Sequence, residues 1–377
     1  MGDSCHSGPL GSTVRAGGIA RFKGISLPGL FASALPAGLR FGGAFLQLLV
    51  TVLIARFLGV KEAGIYFFWV ALFSEAGQIA TFGLDRLAVQ QLPRLERTAE
   101  SISEFLAPLR VTALTIAAGL ALVLCFYAVL SGGPEARPTW WFPMVFLAVA
   151  GVTMCFINAE SMTGLSHPVL AILYKHTVPT VFILVTLALT GPRLTADIAM
   201  LAYAAAFFLV GFGAMLGPGF RGLGEVLRVP TKQQWKDFLR LGSPIFLNTL
   251  FCSLSFVIPL AVLEWTRTSD EVALLTTSFR IILLFGVLAT AIYSLQMPDL
   301  SRAAHARDVP EVFRIFRSAA WRGVLILGVP LIISFVFASP VMAIFGEGFE
   351  AGAVGLQIMM AFGFGALFLG PALQLLL

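Results

Sequence analysis

The sequence predicts an all-α polytopic membrane protein, built as two helical-bundle lobes related by an internal repeat. Three observations carry that prediction. Only 12% of the residues are charged and 58% are hydrophobic, whereas about a quarter of an ordinary soluble domain is charged. Apolar runs of about twenty residues, enough to cross a bilayer as a helix, recur along the chain. The third is a stretch that is used twice. Gln91-Leu92-Pro93-Arg94-Leu95-Glu96-Arg97-Thr98-Ala99 closes an apolar pair of segments, and Gln296-Met297-Pro298-Asp299-Leu300-Ser301-Arg302-Ala303-Ala304 does so again, with Gln, Pro, Leu, Arg and Ala in register. The absence of strand-like alternation argues against an outer-membrane barrel.

Taken in order, residues 1–35 read as a Gly- and Ser-rich cytoplasmic tail with Arg15, Arg21 and Lys23. It has no long apolar core ending in a small-residue cleavage site, so no signal peptide is expected. His6 stands where a myristoylation signal needs Ser or Thr. Residues 36–216 are expected to form an N-lobe of six spans: about Leu39–Phe57, Ile65–Leu84, Val111–Leu130, Phe142–Ala159, Val169–Leu189 and Ile198–Leu216. Leu58-Gly59-Val60-Lys61-Glu62-Ala63-Gly64 is a tight turn between the first two. Tyr66, Trp69, Trp140 and Trp141 read as anchors at the membrane interface. Between spans two and three, Ile102, Phe105, Leu106 and Leu109 share one helical face, which suits a helix lying on the membrane surface.

Residues 217–240 form the expected cytoplasmic bridge. Thr231 and Gln234 have capping-box spacing, so a helix should start there and lead into the seventh span. Residues 241–377 then form a C-lobe with spans at about Pro244–Leu263, Val272–Leu295, Gly323–Phe345 and from Ala353 onward. A third basic, amphipathic connector runs from Pro310 to Arg322.

The tail through Arg40 holds four Lys or Arg residues, 85–110 four, 217–240 five and 298–322 five. The alternate connectors hold only Arg56, Lys61, Arg137, Arg193 and Arg267. This asymmetry puts the N-terminus inside. It also explains the net charge of +5 without nucleic acid as a partner. Cys5, Cys125, Cys155 and Cys252 form no paired motif and read as packing residues rather than a disulfide or zinc framework.

Ionisable groups inside a span are costly and normally face a bundle interior or a wet cavity. The candidates are Arg40, Glu75, Lys175 and Arg280, with His176 as a packing residue. Arg280 reads as a cavity cation for an anionic substrate, or as the partner of Glu75. Glu75 reads as that partner, as a proton or sodium site, or as a neutral packing group. Lys175 and Arg40 could face the cavity or snorkel to the surface. Glu160 and Asp85 read as hydrated helix ends. No Walker-type phosphate loop is present, so ATP drive within the chain is not expected, and the connectors are short for a catalytic domain.

Several stretches resemble Wzx-type polysaccharide flippases of the multidrug/oligosaccharidyl-lipid/polysaccharide exporter superfamily. They are Gly38-Leu39-Arg40 through Leu58–Tyr66, Phe82-Gly83-Leu84-Asp85-Arg86, Phe279-Arg280, Met297-Pro298-Asp299-Leu300 and Phe345-Gly346-Glu347-Gly348-Phe349. The resemblance implies two six-helix lobes in a V that alternate between inward-open and outward-open. It implies undecaprenyl-pyrophosphate-linked oligosaccharide as substrate, moved across the bacterial inner membrane and not chemically altered. Arg40 and Arg280 are then the best cavity cations. The implied partners are the polyprenyl-pyrophosphate-linked glycan, the lipid bilayer, and polysaccharide polymerase and chain-length proteins. No organic cofactor is implied; a coupling ion, H+ or Na+, is left open. The family has twelve or fourteen spans against ten here, so the C-lobe is expected to be incomplete. The competing readings are a cation-coupled multidrug efflux carrier using Glu75, an envelope glycan polymerase or ligase, and a non-transporting scaffold.

Overall fold

A computed structural model describes residues 27–95, 98–132, 138–216, 220, 227–294, 300, 302–303, 306 and 308–376, with side chains described from Gly38 onward except at 131–132, 192, 290–291, 294 and 368–376. Residues 1–26 of the expected tail, Arg137, much of the bridge and Gln296–Asp299 of the repeated motif lie outside the described residues, while residues 27–35, read as tail, already belong to the first helix. Among those described, nine helices are long and apolar enough to cross a membrane. The first, α1 (Leu27–Ala80), is two limbs joined at Gly59, where φ is 72° and ψ is 173°. Positive φ is open to glycine without steric cost. The helix therefore breaks at that one residue and resumes at once, instead of forming the seven-residue turn read from the sequence. With both limbs counted, ten crossing segments match the ten expected.

A tight turn with Gly83 in the left-handed region leads into α2 (Leu84–Gln91). The surface helix expected before the third span is not separate. α3 runs unbroken from Ala99 to Gly132, and Leu106 and Leu109 of the supposed membrane face are fully buried. They pack with Leu84, Leu87, Ala159 and Met162 in two satellite clusters. The apolar face found a protein partner, α4 (Trp141–Gly164), before it could find lipid. Arg110 enters the bundle with it and is 1% exposed, so it does not belong with the surface cations.

The fifth span comprises α5 (Pro168–Ile172), a π turn over Leu173–Thr177 and α6 (Val178–Thr190). Pro179 lacks the N–H that would close the ladder onto Lys175, and the wider turn sits just where that bond is missing. α7 (Ala196–Gly213) is capped by Thr195, whose hydroxyl accepts from the Ile198 N–H. α8 (Lys232–Thr266) opens on the expected capping box, Thr231 with Gln234, and continues through Pro244 and Pro259. α9 (Ser269–Ser294) and α10 (Val309–Val336) follow, the latter capped by Asp308 accepting from the Glu311 N–H at 3.1 Å. The short α11 (Ala338–Ala343) and a 3₁₀ turn lead to α12 (Ala353–Leu376).

The earlier helices pack mainly on one another, as do α9, α10 and α12, and α1 is the chief contact between the two sets through α9 and α8. Small residues set the closest approach within the first set. A Cβ on Gly151 would lie 2.5 Å from the Phe208 N, and one on Gly211 2.5 Å from the Gly151 O. Membrane helices gain packing energy by such close approach, since lipid supplies no hydrophobic drive. Tyr66, Trp69 and Trp141 are buried, at 2%, 3% and 0% exposed, against the interface-anchor reading, whereas Trp140 is 41% exposed. Trp69 meets Trp141 edge-on with centroids 4.7 Å apart. A large ring gains more from filling a helix crossing than from the headgroup region.

Candidate functional site

Between the two sets of helices lies a cavity of about 500 Å³. Its walls come from both limbs of α1, the π turn, α4, α6, α7, α8 and α9. Three of the four expected site residues, Glu75, Lys175 and Arg280, line it. Arg40 does not. It is exposed, one helical turn before Gly43, and near enough to Glu160 and His176 to act on both electrostatically. That position is a rim beside the cavity. Gly43 sets the spacing there, because its Cβ would stand 3.3 Å from the His176 Cβ.

Arg280 reaches from α9 to α1. Its Nη1 donates to Thr51 Oγ1 at 2.9 Å, and the guanidinium lies 5.3 Å from the Phe67 ring centroid. Thr51 in turn donates to the Gln47 carbonyl at 2.8 Å, so its oxygen lone pairs are turned to the arginine. Glu75 is not the partner. A guanidinium held by one hydroxyl and one ring face keeps most of its five donors for something else. Arg280 also borders a second, smaller pocket of about 70 Å³ between α1 and α9, with Ala44, Leu48 and Leu283 on its walls. Leu283 is 55% exposed and lines both pockets.

Lys175 stands on the π turn. Its Nζ donates to Glu160 Oε1 at 2.7 Å and lies 4.3 Å over the Phe156 ring. Glu160 is thus a paired group with 12% of its side chain exposed, not a hydrated helix end. Asp85, just past the first helix hairpin, accepts from Thr81 at 3.2 Å. Burial raises its carboxyl above the usual aspartate range, partly offset by the Arg86 backbone N–H and charge. Glu75, on the second limb of α1, is partly buried, with the Ser253 hydroxyl of α8 within hydrogen-bonding reach.

Beyond the cavity the two sets of helices touch each other in two further places. At one, Gly83 and Gly242 meet almost backbone to backbone, and Phe82 stacks on Phe246 with centroids 4.1 Å apart. At the other, Arg56 Nε donates to the Ile344 carbonyl at 2.7 Å, and Gly64 sits against the Ser269 carbonyl.

Sequence reading missed Thr51 beside Arg280, Ser253 within reach of Glu75 and Tyr203 on the cavity wall, and took the cavity residue Tyr66 for an interface anchor, because single hydroxyls in apolar runs carry no periodic signal. It also missed the clamp in which Arg110 Nε donates to Asn158 Oδ1 at 3.0 Å while Asn158 Nδ2 donates to the Gly211 carbonyl at 2.8 Å. An asparagine amid the fourth apolar run was the available clue.

A family described as polysaccharide biosynthesis protein matches residues 37–304. The chain belongs to that family. No curated protein sequence matches it. Solved structures show the fold this family member shares. A lipid II flippase MurJ in an inward closed conformation is 16% identical, with a TM-score of 0.67, covering 90% of this chain and 74% of that one. A MATE transporter in complex with MaD5 is 16% identical, with a TM-score of 0.56 and 90% and 82% covered. A MOP superfamily transporter from Pyrococcus furiosus is 15% identical, with a TM-score of 0.54 and 91% and 83% covered. The family member is a multi-pass membrane protein with the helical fold of these flippases and exporters.

Proposed function

We propose that this chain flips a lipid-linked oligosaccharide, carried on undecaprenyl pyrophosphate, across the bacterial inner membrane by alternating access. One observation carries the reading: a cavity between two sets of helices holds a guanidinium with no carboxylate partner among the described residues, beside a second, smaller pocket between α1 and α9. The pyrophosphate docks on Arg280, whose fork suits two phosphate oxygens. Lys175 joins by exchanging Glu160 for the phosphate, and Arg40 attracts the headgroup at the rim. The glycan occupies the cavity among Phe156, Tyr203, Phe207 and Phe256, and the prenyl chain stays in the bilayer beside the smaller pocket between α1 and α9. Residues 36–216 and 241–377 act as two lobes rocking about the cavity, with 217–240 as the cytoplasmic bridge. Removing Arg110 from the count of surface cations leaves the charge asymmetry, and the N-terminus inside, as before. Cargo is passed on unaltered, to polymerase and chain-length proteins.

The test is the sidedness of lipid-linked sugar in cells lacking the gene. Accumulation on the cytoplasmic face, relieved by wild type and not by Arg280→Ala at equal protein level, is the expected result. Normal crossing without the gene ends the flippase reading.

A further inference from the structure

The basic connector that opens α10 lines neither pocket, and its surface differs from that of the connector that opens α3. α3 enters the bundle with Leu106 and Leu109 buried and with Glu100 and Glu104 exposed. α10 exposes arginines and rings instead. Phe313 is 69% and Trp321 57% exposed, and Arg314, Arg317 and Arg322 are exposed with them. The opposite side of the helix is already packed, with Ala319, Ala320 and Gly323 buried. Arg314 is engaged by Glu311, its Nε donating to Oε2 at 2.7 Å. Arg317 and Arg322 have no hydrogen-bond or ion-pair partner among the described residues.

Spacing gives this surface its order. Phe313, Arg317, Trp321 and Leu325 follow at intervals of four and so run along one side of the helix. At 3.6 residues per turn, Trp321 falls between Arg317 and Arg322 around the axis, and Arg317 stands about 6 Å before Trp321 along it. Leu325 and Val329, both exposed, continue the same side into the stretch long and apolar enough to cross a membrane. Cation, indole and aliphatic side chain thus succeed one another as phosphate, interface and acyl chain do in one leaflet. Charge asymmetry between connectors asks for arginines alone, not for exposed rings beside them. A soluble acidic partner would match the arginines but not the apolar side chains that continue below them, and this continuity selects a lipid.

We propose that the first turns of α10 are a binding site for an anionic phospholipid. Its phosphate sits between Arg317 and Arg322 beside Trp321, and an acyl chain lies along Leu325 and Val329. Two guanidinium groups without an anion supply the donors, in a fork that suits phosphate oxygens. α10 packs on α9 and α12, so lipid held here fixes the depth of that whole set of helices. The site is apart from the cavity and is independent of the flippase reading.

The test uses full-length protein in phosphatidylcholine nanodiscs, into which phosphatidylglycerol or phosphatidylcholine with brominated acyl chains is titrated. Bromine quenches a nearby indole, and the difference between wild type and Trp321→Phe isolates the Trp321 signal from the other five tryptophans. The expected result is half-quenching by phosphatidylglycerol at about a tenth of the mole fraction that phosphatidylcholine requires, the order set by two arginines at an anionic surface. The preference is expected to vanish in Arg317→Gln/Arg322→Gln and to remain in Arg267→Gln. Equal quenching by the two lipids overturns the proposal, as does a preference that survives the double variant. Quenching by neither lipid overturns it in favour of a protein covering this face. Loss of the preference on adding inorganic phosphate at constant ionic strength overturns it in favour of a site for free anions.

Discussion

Arg280 shows most clearly what the residue scale can say. A half-buried guanidinium that is answered only by a hydroxyl and a ring face has given up part of its hydration without a compensating anion, which is a cost to the fold. Arg280→Met therefore raises the thermal unfolding temperature in detergent while transport falls by about tenfold or more, the equivalent of one strong charge-assisted contact. A variant that loses stability and activity together assigns Arg280 a packing role instead. Lysine at this position keeps the charge and loses the fork, so Arg280→Lys recovers only part of the export. That Arg280, Lys175 and Glu75 would face a cavity was legible in the sequence, because charge in an apolar run is conspicuous. Their partners were not legible. Glu160 lies fifteen residues from Lys175 and Thr51 lies 229 from Arg280, separations that only the fold brings together.

At the scale of the element, small residues and turns decide how near helices come. Gly211→Ala places a methyl 2.5 Å from the Gly151 carbonyl, and backbone cannot rotate aside as a side chain can. The pair α4–α7 must part, at a cost of about 1–3 kcal/mol or more. Gly119→Ala in α3 meets nothing within 4 Å and gains about 0.5–1 kcal/mol of helix propensity. Opposite shifts in unfolding temperature for this pair of variants check the argument; equal shifts contradict it. Helix existence was plain from hydropathy, and the start of α8 from its capping box. The path of Leu106 and Leu109 was misread, since an apolar stripe suits lipid and protein equally well. Neither the single-residue break at Gly59 nor the π turn at Leu173–Thr177 leaves a pattern that differs from an ordinary loop or span.

For the whole molecule, the Phe82–Phe246 stack and the Arg56–Ile344 hydrogen bond tie the two sets of helices together in two places. Phe82→Cys and Phe246→Cys, in a background without the native cysteines, should be joined by a short thiol-reactive linker across the stacked pair. Joining them arrests export, and a cleavable linker restores it on reduction. Undiminished export with the link in place means that this end does not open. The two-lobed plan was anticipated from a repeat whose second copy falls partly on Gln296–Asp299, outside the described residues. The multi-pass helical fold rests on firmer ground, the hydropathy and the family match. Which surfaces touch when the cavity closes was never in the sequence, because Gly83 and Gly242 look like any other glycines until they are seen to face each other.

The unbroken course of α3, α8 and α10 from the connectors into the membrane gives these helices the character of levers. α8 carries its capping box, its exposed Lys232, Lys236 and Arg240, and the cavity residue Phe256 on one rod. At 1.5 Å per residue the distance from the cap to that ring is roughly 30–40 Å. A binder seated on the first turns of α8 has a long moment arm on the cavity wall without entering it. Selecting nanobodies against that short basic segment is thus a way to steer the protein from its aqueous face.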